Sequence, residues 1–171
     1  MLFSVIIPAY NAESTIRKTL NSVLNQTFKD FEIVAIDDGS TDSTPTILKD
    51  YTSKDSRVHV YTFKNAGVSV SRQRGINNSN GQFIVFVDSD DTIEPELLSN
   101  LYSAIKSYPT TDLIRYQSRI IADSIAIGNP LILSPDFPLL HTVREIFISY
   151  GVPSKIIIIL IYNFQLILLV H

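Results

Sequence analysis

The sequence contains no cysteine, which removes disulfide frameworks, thiolate metal sites and thiol nucleophiles, and leaves the fold indifferent to redox compartment. Charge is sparse too. Only 18% of residues are Asp, Glu, Lys or Arg, and the fourteen Lys and Arg are scattered through a chain of formal net charge -3. That leaves no basic stripe to neutralise a phosphate backbone, and nucleic acid is excluded as a partner. No basic segment precedes the apolar start MLFSVIIPAYN, which breaks at Pro8. It reads as a strand rather than a signal peptide, and the expected location is the cytoplasm. The three histidines, His59, His141 and His171, lack metal-ligand spacing and read as structural or surface residues. No linker, low-complexity tract or internal repeat interrupts the chain.

What is present fits one domain: 171 residues, 45% of them apolar, are enough to bury a full core. Short runs rich in Val, Ile and Phe at residues 2–7, 31–36, 57–63 and 82–87 are bounded by turn residues and predict buried strands. Between them, Ile16, Leu20, Val23 and Leu24 share one helical face. Thr44, followed by Pro45, caps a second helical stretch carrying Ile47, Leu48 and Tyr51, and a further helix begins near Pro95 with Leu97, Leu98, Leu101 and Ile105. Alternation of this kind predicts right-handed β-α-β units, hence an α/β fold with a mostly parallel central sheet and helices on both faces. Ligands in such folds sit at the carboxyl ends of strands.

After Asp112 the rhythm changes. A strand is expected at 113–118, weak strands continue to about 133, and a short helix with Val143, Ile146, Phe147 and Tyr150 stops at Gly151 and Pro153. The final stretch, IIIILIYNFQLILLV at 156–170, is relieved only by Asn163 and Gln165. It falls short of the ~20 residues a helix needs to cross a bilayer. It is therefore expected to be a buried strand or an interfacial segment in peripheral contact with the inner face of a membrane.

Two acidic clusters stand at predicted strand ends. The first, Asp37, Asp38, Gly39, Ser40, Thr41 and Asp42, follows FEIVAI. A carboxylate there can accept from the imide N–H of a base, but the same residues also build Asx-turns and helix N-caps without any ligand. The second, Asp88, Ser89, Asp90 and Asp91, follows QFIVFV and places three acids within four residues. Their mutual repulsion favours a compensating cation, and an all-oxygen set suits Mg²⁺ or Mn²⁺ completing its shell with water and substrate phosphate. A solvated N-capping loop is the plainer alternative for this cluster. Two acidic loops at adjacent strand ends make one site. Between the clusters, NAGVSVSRQRG at 65–75 supplies Arg72 and Arg74. Arginine is the side chain suited to phosphate oxygens, although surface helix charges look the same.

The segments VIIPAYN at 5–11, DDGSTD at 37–42, NAGVSVSRQRG at 65–75 and FVDSDD at 86–91, in that order, resemble the motifs of family 2 glycosyltransferases, and the resemblance runs from residue 3 to about 117. It implies a Rossmann-like GT-A fold. Residues 1–117 would form the core that binds a nucleoside diphosphate sugar, most often a UDP sugar. Residues 118–171 would form an incomplete acceptor half with an apolar tail. By this resemblance Pro8, Ala9 and Tyr10 would flank the base, and Asp38 would accept from it. Arg72 matches the motif arginine, with Ser71 and Gln73 standing where the family more often has Ala and Asn. Asp88 and Asp90 match the D-x-D positions around Ser89. Asp90 would be the direct ligand of Mn²⁺ or Mg²⁺, and Asp91 would be secondary.

The implied chemistry is inverting transfer of a hexosyl or N-acetylhexosaminyl group to a polysaccharide or lipid-linked glycan acceptor, as in bacterial cell-envelope synthesis. In relatives the general base is an Asp of the carboxyl-terminal half, usually in a Glu-Asp pair. No such pair occurs here, and only Asp123 and Asp136 stand in as candidates. A truncated or carboxyl-terminally altered member is therefore expected. Two other functions compete. One is a donor-binding module without turnover, which would bind UDP and transfer nothing. The other is a receiver-type pocket built on Asp37, Asp38 and Asp88, for which Lys106 and Lys155 are poorly spaced.

Overall fold

The computed structural model describes residues 1–107 and, as backbone, residues 113–117 and 156–161. Its elements are β1 (Phe3–Ala9), α1 (Ile16–Leu24), β2 (Phe31–Asp37), α2 (Thr44–Lys54), β3 (Val58–Thr62), α3 (Val68–Asn77), β4 (Phe83–Phe86), α4 (Leu97–Ser107), β5 (Leu113–Gln117) and β6 (Ile156–Ile161). The strands expected at 2–7, 31–36, 57–63, 82–87 and 113–118 are present within two residues of those bounds. The apolar tail contributes β6 through its first part, while residues 162–170 lie outside the described region, as do the predicted weak strands to about 133, the predicted helix around 143–150, Asp123, Asp136, His141 and His171. Two details differ from expectation. Ser43, not Thr44, is the N-cap of α2. The segment 68–77, whose sequence gives no apolar period, is a helix.

The strands form one sheet in the order β3-β2-β1-β4-β6-β5, and every described pairing is parallel. Strands buried on both faces need continuous apolar sequence rather than alternation. The burial of all seven residues of both β1 and β2 follows from that. On one face Phe3, Val5, Ile7, Phe31, Ile33 and Val85 pack against Ile16, Leu20 and Val23 of α1, Leu48 of α2, and Leu98 and Leu101 of α4. On the other, Ile6, Val34, Ile36, Ile84 and Phe86 meet Ile76 of α3. Each fully buried aliphatic side chain of this set contributes roughly 1.5–3 kcal/mol.

α3 lies close to the sheet because Gly75 has no side chain. A Cβ at that position would collide with Ile6 Cγ2. The chain leaves β1 toward β2 and β3 on one side and returns to β4 on the other, so the order reverses beside β1. The loops following β1, β2 and β4 therefore open at a topological switch point, the position where open α/β sheets bind ligands.

Candidate functional site

Four segments meet at that edge: the β1–α1 loop from Tyr10, the β2–α2 loop from Asp38, the β4–α4 loop from Val87, and the first turns of α3. The first two are joined at their base, where the Asp38 N–H donates to the Ala9 carbonyl at 2.9 Å. Pro8 and Ala9 end β1 in register with Ile36 and Asp37. Tyr10, the next residue, is exposed.

The paired acids of the first cluster divide the two readings of that cluster between them. Asp37 is fully buried, and its Oδ1 accepts from the Ser40 N–H at 3.0 Å. That is turn chemistry. Asp42 serves similarly, its Oδ1 accepting from the Thr44 N–H at 2.9 Å and its Oδ2 from the Glu13 N–H at 3.0 Å. Desolvation works to raise the Asp42 pKa, and the hydrogen bonds from Thr44 and Glu13 outweigh it, so the carboxyl lies below its ordinary value. Gly39 permits the sharp turn between these acids: its φ is +76°, and an added Cβ would lie 2.9 Å from the Asn65 nitrogen.

Asp38 points to the opposite face, toward α3. Its Oδ1 accepts from the Ala66 N–H at 3.1 Å and from Arg74 Nη1 at 3.0 Å. Its Oδ2 accepts from the Ala66 N–H at 3.1 Å and the Gly67 N–H at 2.8 Å. A carboxylate offers about four lone-pair positions, so the expected base acceptor is already occupied by protein donors.

The two arginines of α3 each stack near a phenylalanine and reach one acidic loop. Arg74 lies with its guanidinium carbon 4.5 Å from the Phe63 ring centre and binds Asp38. Arg72 lies 5.9 Å from the Phe86 ring centre, and its Nη2 donates to Asp88 Oδ1 at 2.6 Å. The buried Nε of Arg72 has no hydrogen-bond partner among the described residues. A buried donor left unpaired in this way costs about 1–3 kcal/mol, and a ligand oxygen or water at this position would relieve it.

The second acidic loop is a tight turn, the Asp91 N–H donating to the Asp88 carbonyl at 3.0 Å. α1 and the turn that follows it hold this loop. Thr19 Oγ1 donates to the Ser89 carbonyl at 2.9 Å, and Gln26 Nε2 donates to the Glu94 carbonyl at 2.7 Å. Gln26 Oε1 accepts the Leu98 N–H at 3.0 Å, capping one of the open donors at the start of α4. Asp90 is exposed, and its carboxylate has no hydrogen-bond or ion-pair partner among the described residues.

No group of three or more His, Asp or Glu side chains converges on a cation position among the described residues. One free carboxylate beside a second that is half-exposed does fit a hydrated Mg²⁺ or Mn²⁺ bound through one or two protein oxygens, with phosphate completing the shell. Thr19, Gln26 and Asn11 support the site without having been singled out from the sequence. Their contribution is a side-chain bond to backbone across more than two dozen positions, which leaves no local motif to read.

Residues 4–127 match the family model described as glycosyl transferase family 2. Glycosyltransferase GlyA of Streptococcus pneumoniae is 44% identical over 105 residues, covering 61% of this chain and 15% of that protein. Cholesterol galactosyltransferase of Borreliella burgdorferi is 34% identical over 145 residues, covering 84% of this chain and 40% of that one. Among solved structures, S. aureus TarS 1-349 in complex with UDP-GlcNAc superposes with a TM-score of 0.66 at 34% identity, covering 74% of this chain and 37% of TarS 1-349. The chain thus spans less than half the length of each of these relatives.

Proposed function

The chain belongs to glycosyl transferase family 2, and from that premise we propose that it binds a nucleoside diphosphate sugar, a UDP sugar, for transfer to a glycan or lipid-linked acceptor. The observation that carries this reading is the arrangement of Asp38, Arg72, Asp88 and an unpartnered Asp90 on the loops and helix that meet at the strand ends of the switch point, with an exposed Tyr10 following β1. TarS, whose structure with UDP-GlcNAc superposes on this chain, supports the choice of donor class.

In this reading Pro8, Ala9 and Tyr10 flank the base. The Asp38 carboxylate accepts from it after a protein donor yields one lone-pair position. Arg72, with Nε–H unspent, donates to donor oxygen. Asp90, with Asp88 adjacent, would hold Mg²⁺ or Mn²⁺, which when bound offsets the charge developing on the departing diphosphate. Ser89 is held by its own carbonyl bond to Thr19, and this fixes the spacing between the two acids. The acceptor hydroxyl needs a base within hydrogen-bond reach, and Asp123 and Asp136 are the residues to substitute in the search for it. Residues 1–117 would form the donor-binding unit and residues 118–171 the partial acceptor side. The apolar tail would supply any peripheral membrane contact; no helix among the described residues is long and apolar enough to cross a membrane.

Calorimetric titration of UDP into the chain, with Mn²⁺ and then with chelator, tests the reading. Binding lost on chelation supports it, and a folded sample that binds UDP in neither condition removes it.

A further inference from the structure

Asn11 has φ +49° and is the only non-glycine residue with positive φ among the described residues. Asparagine tolerates this left-handed conformation better than most side chains, but the conformation persists only where the surroundings fix it. Here they do. Asn11 Oδ1 accepts from the Thr41 N–H at 2.8 Å and from Thr41 Oγ1 at 3.3 Å. The Asn11 N–H donates to Ser40 Oγ at 3.0 Å. Ser40 is itself anchored through its N–H to the buried Asp37. The β1–α1 loop is therefore tied to the β2–α2 loop through Asn11, by a chain of bonds that ends in the sheet.

The residue directly before this clamp is Tyr10, the only exposed side chain among the described aromatics. Tyr10 is held from both sides: Ala9, at the end of β1, accepts from the Asp38 N–H, and Asn11, clamped in its left-handed conformation, fixes the peptide that follows Tyr10. We infer that Asn11 is a positioning residue for the donor base, acting through Tyr10 and not through contact with the ligand. This rests on the donor-binding reading above. The clamp gives the first acid of the DDGSTD segment a part in recognition: Asp37 fixes Ser40, Ser40 fixes Asn11, and Asn11 fixes Tyr10.

The experiment is titration of the full chain with UDP and, separately, with inorganic pyrophosphate, both with Mn²⁺. The variants are Asn11→Gly, which accepts positive φ but loses the side-chain bonds, and Asn11→Asp, which keeps an acceptor for Thr41. Each is also made together with Tyr10→Ala. Expected are a loss of about tenfold in UDP affinity for Asn11→Gly, pyrophosphate affinity within about twofold of the unaltered chain, and recovery in Asn11→Asp. In the Tyr10→Ala background Asn11→Gly should have no further effect, the signature of two residues acting as one unit. Unchanged UDP affinity in Asn11→Gly, equal losses for UDP and pyrophosphate, or additive effects with Tyr10→Ala each overturn the inference while leaving the donor site standing. Failure of the unaltered chain to bind UDP overturns the donor-binding reading and this inference with it.

Discussion

Arg74 Nη1 donates to Asp38 Oδ1 at 3.0 Å while also donating to the Lys64 carbonyl at 3.1 Å. The side chain that the sequence offers either for phosphate oxygens or as a surface helix charge is thus the counter-ion of a carboxylate that is itself almost wholly buried, at 4% side-chain exposure. Burial of a carboxylate is tolerated when it is paired and hydrogen-bonded, and removal of one partner exposes the uncompensated cost of the other. Arg74→Ala should lower the unfolding free energy by about 1–3 kcal/mol, below the range for fully buried pairs because Arg74 is partly solvated. A double-mutant cycle with Asp38→Asn, measured by urea unfolding, should give a coupling of about 1 kcal/mol or more. Additivity of the two changes would deny the pair any energetic role.

Asp90 and Asp88 should separate cleanly under substitution. Asp90 has no partner among the described residues, so Asp90→Ala is expected to leave stability within about 0.5 kcal/mol and to abolish metal-dependent UDP binding. Asp88→Ala breaks the contact with Arg72 and should affect both. Thermal melts beside calorimetry with and without chelator check this, and unchanged metal-dependent affinity in Asp90→Ala would remove the central assignment.

A polar cluster at the far end of the sheet makes a prediction in pH. Glu32 is fully buried. It accepts from Ser4 Oγ at 2.6 Å, from the Asn80 N–H at 2.6 Å and from Asn80 Nδ2 at 3.3 Å, and His59 Nε2 lies 3.6 Å from Oε2. Desolvation works to raise its pKa, but these hydrogen bonds, with the His59 charge, outweigh it and hold the carboxyl below its ordinary value. A depressed folded-state pKa gives stability that is present above the unfolded value near 4.5 and is lost as pH falls through the folded one. The unaltered chain should therefore lose denaturant resistance progressively below that value. Glu32→Gln, which turns an amide toward Asn80 and His59, should be less stable by about 1–3 kcal/mol at pH 7 and should show a flatter acid limb. Parallel acid limbs for the two proteins would assign the pH dependence to other groups.

Packing beneath α3 supplies the last test. Gly75→Ala drives a methyl group into Ile6 Cγ2 and should cost about 1–3 kcal/mol through overpacking. Ser71, one turn earlier, is fully buried with its hydroxyl unpartnered among the described residues. Ser71→Ala removes an unsatisfied polar group and is expected to be neutral or stabilising by up to about 1 kcal/mol. Opposite signs for two alanine substitutions on one helix face, read by chemical unfolding, would verify the packing.

The strands and three of the helices were legible because β1, β2 and β4 are short runs rich in Val, Ile and Phe, broken by a polar residue only at Ser4 in β1 and at Glu32 and the terminal Asp37 in β2, and α1, α2 and α4 carry Leu and Ile at helical spacing. α3 was not legible. It buries only Ser71, Gly75 and Ile76, and small residues chosen for close approach carry no hydrophobic period. The acidic clusters were visible as clusters, but the opposite orientations of Asp37 and Asp38 came from the strand alternation that continues past the end of β2. The clamps made by Thr19, Gln26 and Asn11 are distant in sequence and become readable only after the loops have been brought together.

The insertion of β6 between β4 and β5 bears on the order in which the chain can fold. β5 pairs only with β6 among the described strands, and β6 comes from residues 156–161. During synthesis β1 to β4 and α1 to α4 are available well before that strand emerges. Through this interval β4 presents an open parallel edge, the kind of surface that invites pairing with another chain. The nascent protein thus carries this open edge until its most apolar segment emerges to cover it, after the loops that follow β1, β2 and β4 have already been synthesised.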